Sequence, residues 1–258
     1  MGSKLFLGAA AAALLLATST ARADDRGIIG EDDRIPADVA QPPWQAVGQI
    51  NVAGHRFRSI CTGTLIAPRV VVTAAHCLVT PWDRKPVPAH DVHFVAGVNR
   101  EASTGHSVAA CIRFGPGALE ASAGFNPNLD VQKAPLAAAV GDIAIIVLKD
   151  NLAVEPVPPS PAGIDREGLK LAHGAYPADR RYQLMADDGC SLLGTDSGLW
   201  LTACDTYPAS SGGPLFVRQN GGWTIAAVMV GFIDGDATVA WPLSAWKDLP
   251  LTPECPAP

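Results

Sequence analysis

The sequence predicts an all-β protein, on three observations. Gly and Pro are abundant, 25 and 22 of 258 residues, while aromatics make up only 6%, a composition suited to many turns between short strands. Short apolar runs bounded by Gly, Pro, Asn or Asp recur along most of the chain. Helical periodicity is almost missing. With 48% hydrophobic and 17% charged residues, the chain is neither a disordered tail nor a fibre. A net charge of -6 without any Lys/Arg stripe argues against a polyanion-binding surface, so nucleic acid is not an expected partner.

The elements follow in order. Residues 1–23 read as a secretory signal: Lys4 gives a positive start, residues 5–17 are an apolar run too short to span a bilayer, and Ala21-Arg22-Ala23 offers small residues to a signal peptidase. Cleavage there removes Lys4 and Arg22 and takes the charge from -6 to -8. Residues 24–43 are polar and Pro-containing, an extended arm or propeptide. Eleven strand-like runs follow at 45–52, 59–66, 70–73, 92–96, 143–148, 170–175, 181–185, 199–204, 215–218, 223–230 and 238–241, which suits antiparallel barrels or sandwiches. Residues 99–140 are rich in Gly, Ala and Pro and read as long loops around one or two weak strands. Helical signals are confined to the turn at 74–78 and a short C-terminal helix near 243–247. No later stretch is long enough to cross a membrane.

Six cysteines, Cys61, Cys77, Cys111, Cys190, Cys204 and Cys255, behind a signal read as three disulfides with fifteen possible connectivities. Cys61 with Cys77 and Cys190 with Cys204 are the local pairings, each worth around 3 kcal/mol in the chain-entropy model; Cys111 and Cys255 are then left for each other. No Cys-x-x-Cys pair exists, so zinc is not expected.

Three stretches carry the chemistry. Cys61-Thr-Gly-Thr-Leu-Ile-Ala-Pro-Arg-Val-Val-Val-Thr-Ala-Ala-His-Cys77 places His76 after an apolar strand, Gly141-Asp-Ile-Ala-Ile-Ile-Val-Leu148 puts Asp142 at the mouth of another, and Cys204-Asp-Thr-Tyr-Pro-Ala-Ser-Ser-Gly-Gly-Pro214 sets Ser211 in a tight turn. Singly, each has a bland reading as a core-edge histidine, a strand-capping aspartate or a turn serine. In the order His, Asp, Ser they match the needs of acyl transfer, in which a base takes the serine proton and a carboxylate fixes the tautomer of that base. The remaining histidines form no second site in this reading. On a strand His90 and His93 would face opposite sides, and His55, His106 and His173 are isolated. Paired carboxylates at Asp32-Asp33 and Asp187-Asp188 fall in loop-like segments and make a poor acid hydrolase.

On these motifs the chain resembles a trypsin-like, chymotrypsin-fold serine peptidase, from Pro43-Trp44-Gln45 to the strand ending at Gly231. Asp32-Asp33-Arg34, Tyr176-Pro177 and Cys-Asp-Thr-Tyr-Pro208 are similar to the bacterial secreted branch that includes the V8-like glutamyl endopeptidases. The resemblance implies two six-stranded antiparallel barrels, roughly 44–150 and 151–258, with the active site in the cleft between them. It implies His76, Asp142 and Ser211 as catalytic residues and the N–H groups of Ala209 and Ser211 as the oxyanion hole. It also implies substrate binding by Asp205, Thr206, Met229, Val230 and Gly231, a bridge from Cys61 to Cys77 that pins His76, and one from Cys190 to Cys204 near the pocket. No cofactor is required, the partner is a protein or peptide substrate, and a secreted or periplasmic monomer is expected.

Three departures qualify that picture. Ser210 stands where animal trypsins carry the Asp that pairs with a new N-terminus, and the chain after Arg34 begins Ile35-Pro36-Ala37, so activation through an Ile35 ion pair is not expected; trimming of 24–34 stays open. Ala209 replaces the Gly of the oxyanion turn; a positive φ there strains Ala by roughly 1–2 kcal/mol, leaving a turn strained in place or resting flipped. Val228 occupies the position of the histidine on which glutamyl specificity in this branch relies, which disfavours Glu. Asp205, six residues before Ser211, reads either as a selector for Arg and Lys or as a turn residue. The alternative in another class is a catalytically silent binding module on the same fold, which Ala209 and Ser210 favour.

Overall fold

In the computed structural model, which describes residues 27–55, 57–120, 136–233 and 235–255, twelve strands close into two antiparallel barrels. The signal at 1–23 lies outside the described residues. The first barrel is built from β2 (Val47–Ala53), β3 (Arg58–Ala67), β4 (Val70–Thr73), β5 (Val92–Ala96), β6 (Gly105–Phe114) and β7 (Ala144–Leu148), in spatial order β2-β3-β4-β7-β6-β5. The pairing of β2 with β5 closes it, with Ile50 opposite Phe94. Its strands read as β-branched runs because they are covered on both faces: Val70, Val71, Val72, Ile145, Ile146 and Val147 are all buried.

The second barrel runs β8 (Lys170–Ala175), β9 (Met185–Asp196), β10 (Leu199–Thr202), β13 (Ala237–Pro242), β12 (Gly222–Ile233), β11 (Pro214–Gln219) and back to β8. A two-residue strand β1 (Ile35–Pro36) adds to its edge, pairing Ile35 with Ala186. One core cluster fills the first barrel and continues through Tyr176, Leu184, Phe216 and Val228; another fills the second around Trp200, Leu215 and Met229. Bridges join Cys61 to Cys77, Cys111 to Cys255 and Cys190 to Cys204, and no free cysteine is found among the described residues.

Several expectations need correction. The stretch read as long loops around one or two weak strands contains β6, longer than expected at ten residues; pairing with β5 and β7, rather than propensity, makes it a strand. The strand expected at 181–185 begins only at Met185 and runs on to Asp196, through Asp187, Asp188 and Gly189. The C-terminal helix is a single 3-10 turn, Leu243–Ala245. His106 is not isolated: on neighbouring strands, it stacks with His93, Nδ1 of His93 lying 2.9 Å from its Nε2.

Candidate active site

Each of the three motif residues sits where a strand ends. β4 stops at Thr73, and a 3-10 turn over Ala75–Leu78 carries His76. The disulfide from Cys77 to Cys61 on β3 ties that turn to the barrel wall. Asp142 lies just before β7 and is 1% exposed. Its Oδ1 accepts the His76 backbone N–H at 2.8 Å, and its Oδ2 lies 2.5 Å from His76 Nδ1. A buried carboxylate so placed keeps the proton on Nδ1 and leaves Nε2 as the basic nitrogen.

Ser211 reaches this region through its backbone. Its carbonyl accepts the N–H of Thr62 on β3 at 2.8 Å and lies 3.8 Å from Cys77 Sγ. Gly212, at φ +82, is pressed so closely against the first barrel that a Cβ would stand 2.1 Å from both the Thr62 carbonyl and Thr73 Oγ1. Only glycine fits there, which makes the Ser-Gly pair a mechanical requirement of bringing the second barrel's turn against the first.

The turn before Ser211 answers the question raised by Ala209. Ala209 has φ +76, and the Ser210 N–H donates to the Tyr207 carbonyl at 2.9 Å, closing a turn with Pro208 and Ala209 at its centre. The Pro208 carbonyl accepts the Ala178 N–H at 2.7 Å. Because a trans peptide points its N–H away from its C=O, the Ala209 N–H points in the opposite direction, away from Ala178. Among the described residues neither this N–H nor that of Ser211 meets an intramolecular acceptor. The turn thus holds Ala209 in the strained, positive-φ conformation, with its N–H turned away from Ala178. Ser210, buried, accepts the Tyr207 N–H on its hydroxyl at 3.3 Å, so it braces the turn locally.

The substrate-binding expectations fare unevenly. Both Asp205 oxygens are engaged by the N-terminal segment, Oδ1 by the Ile29 N–H and Oδ2 by the Asp33 N–H, each at 2.8 Å. Burial raises the Asp205 pKa against the pull of those two donors. Asp187, expected in a loop, is buried on β9, where its Oδ2 accepts the Asp205 N–H. Burial pushes its pKa up to about 6, opposed by that hydrogen bond and aided by the Asp205 charge. Thr206 donates its N–H to the Gly27 carbonyl, and its Oγ1 lies 3.4 Å from Nε2 of the buried His173. Met229 and Val230 were expected along the substrate edge, but both side chains are buried in core clusters, and the Met229 backbone pairs with Gly212 and Gly213. Gly231, half-buried with no atom near its missing Cβ, sits at a register shift between β12 and β13 and is the one of these three with open space beside it.

Sequence reasoning missed Thr62, Ala178 and the N-terminal segment; only the Asp32-Asp33-Arg34 motif hinted at the last. Two groupings of metal-ligating residue types, Cys61, His76, Cys77 and Asp187, Cys190, Cys204, each contain two sulfurs already joined to one another and so offer no thiolate.

Comparison with known proteins agrees with this geometry. The family model described as a trypsin-like peptidase domain matches residues 61–223. No curated protein matches by sequence. Among solved structures, a Glu endopeptidase in complex with MPD superposes with a TM-score of 0.65 at 20% identity, covering 86% of this chain and 96% of its own. The protease Anisep from Arthrobacter nicotinovorans gives 0.60 at 17% identity, covering 83% and 93%. At such identities the likeness is one of fold.

Proposed function

Since the chain belongs to the trypsin-like peptidase family, we propose that it is a secreted serine endopeptidase that cuts peptide bonds through an acyl-enzyme formed on Ser211. The observation that carries this reading is the double hold of Asp142 on His76, at Nδ1 and at the backbone N–H. In the first step the Ser211 Oγ–H proton passes to His76 Nε2 as Oγ bonds to the scissile carbonyl carbon. The carbonyl electron pair moves onto oxygen, which the Ala209 and Ser211 N–H groups receive. The pair returns, the C–N bond breaks, and the imidazolium gives its proton to the leaving amine. Water then repeats the sequence against the ester and frees Ser211. Each oxyanion donor is worth about 3–4 kcal/mol of barrier, so an oriented Ala209 N–H favours the enzyme over the silent module.

Secretion is supported by the signal-like leader and by three disulfides, which persist in oxidising compartments. For Asp205, the two backbone donors on its oxygens favour an anchoring role for the N-terminal segment over selection of Arg or Lys. The test of the central claim is a fluorophosphonate probe on the folded chain. Wild type should be labelled and Ser211→Ala should not; labelling that survives the substitution, or an unlabelled wild type, refutes the assignment.

A further inference from the structure

Arg34 ends the N-terminal segment just before β1. Its side chain is only 6% exposed, unusual for a guanidinium unless it is paired. Nε lies 2.8 Å from Asp32 Oδ1 and Nη2 2.8 Å from Asp32 Oδ2. On the other side Nη1 is 3.3 Å from Asp179 Oδ1 and Nη2 3.0 Å from Asp179 Oδ2. Burial works against the charge, but the hydrogen bonds to the two carboxylates outweigh it and hold the Arg34 pKa above its ordinary value. The planar fork is thus saturated by two acids, one local and one 145 residues away.

What Arg34 touches matters more than what neutralises it. Its guanidinium carbon lies 5.4 Å from the centroid of the Tyr207 ring, and Tyr207 opens the oxyanion turn. Asp179 directly follows Ala178, whose N–H holds the Pro208 carbonyl and thereby orients the Ala209 N–H. One side chain therefore bears on the turn from two directions: on the ring that begins it and on the segment that clamps its central peptide. The turn is under strain at Ala209 and Ser210 is no acid, so the chain lacks the ion pair with which animal trypsins hold this loop. The rest of the N-terminal segment is docked beside it, through Ile29 and Asp33 on Asp205 and Ala37 on Leu184.

We propose that Arg34 is a positioning residue for the oxyanion turn, doing with a guanidinium in the interior of the chain what a freed α-ammonium does in animal trypsins. A cut after Arg34 would then switch the enzyme off rather than on, because it would sever Arg34, with Asp32 beside it, from the chain that runs on into β1. This rests on the serine-peptidase reading above.

The test compares wild type, Arg34→Lys and Arg34→Met as full chains, using p-nitrophenyl acetate for steady-state kinetics and a fluorophosphonate for the labelling rate. Arg34→Met should lower kcat about 10- to 100-fold, less than outright loss of an oxyanion donor, with KM within about twofold and labelling slowed in parallel. Arg34→Lys, which keeps the charge without the fork, should fall between. A merely structural residue would lower the fraction of labelled protein, leaving the rate on the surviving fraction unchanged, and that result overturns the proposal. So does an Arg34→Met protein as fast as wild type, or one in which KM rises at constant kcat. If Arg34→Met does not fold, Asp179→Asn, which removes half of the clamp, is read by the same criteria. A wild type that is itself unlabelled defeats the serine-peptidase reading and this one with it, whereas a labelled wild type with an equally fast Arg34→Met defeats this one alone.

Discussion

Replacing Ala209 by Gly separates strain stored in the fold from strain spent during catalysis. Ala209 sits at φ +76, in the left-handed region that costs a residue with a Cβ about 1–2 kcal/mol. Glycine relieves this but enlarges the unfolded ensemble, a loss of about 0.4–1 kcal/mol. The balance is a gain near 1 kcal/mol, equal to about 2–4 °C in Tm for a domain of this size. If the proposed oxyanion turn is already set by the Ala178 hold on the Pro208 carbonyl, kcat should change less than twofold. Calorimetry alongside steady-state kinetics on p-nitrophenyl acetate makes the measurement. A glycine variant about tenfold faster with an unchanged Tm would show that the turn spends most of its time flipped, and the reasoning from the Ala178 clamp would be wrong.

Two further outcomes are expected. Asp205→Asn removes one acceptor from the pair of backbone donors at Ile29 and Asp33 and should cost about 1–3 kcal/mol in denaturant melts without altering the cleavage profile on a peptide library; selective loss of cuts after Arg and Lys would restore Asp205 as the pocket's selector. His173 is fully buried, and burial lowers its pKa from 6.5 to about 4 against the hydrogen bond it gives the Pro214 carbonyl. The unfolded chain takes a proton near pH 6.5 that the fold refuses until about 4, so on this account stability falls by roughly 3 kcal/mol as pH drops through that window. Asp187, raised to about 6, acts with the opposite sign between about 3.8 and 6, so His173→Asn is compared with its parent at each pH; identical slopes in urea melts from pH 7 to 4.5 would refute the assignment.

Most strands and the positions of the three motif residues were legible because local sequence encodes them, while closure into two six-stranded barrels followed only from the resemblance to trypsin-like peptidases. Val70 to Thr73 and Ile143 to Leu148 advertise strands covered on both faces, and His76, Asp142 and Ser211 lie at their ends or in a Gly-framed turn. β6, expected only as one of one or two weak strands, and β9, expected only as far as Met185, were harder to read, since Asp188 and Gly189 have poor strand propensity and Ala110 and Gly189 fall at register shifts whose conformation is set by the flanking pairs with β7 and β8. Met229 and Val230 were expected along the substrate edge, but β12 is covered on both faces, so consecutive side chains alternate between two cores and the sequence shows no polar face that would reveal it. The anchoring of residues 27–37 was invisible for a different reason: the contacts of Ile29 and Asp33 with Asp205 span 176 and 172 positions, and no periodicity reports a hydrogen bond between a backbone and so distant a carboxylate.

The bridge from Cys111 on β6 to Cys255 encloses 144 positions of sequence, among them Asp142 and Ser211 but not His76. A peptidase at high concentration is its own most abundant substrate. Any single cut between these two cysteines leaves both pieces covalently joined, so the first barrel cannot drift away from the Ser211 turn it faces. Such a nicked molecule would run as one band until reduced and as two afterwards, and it could go on working as a two-chain enzyme. A cut before Cys111 has no such insurance beyond the short bridge from Cys61 to Cys77. Tolerance of self-inflicted damage is therefore unequal along the chain, greatest across the half that holds the serine.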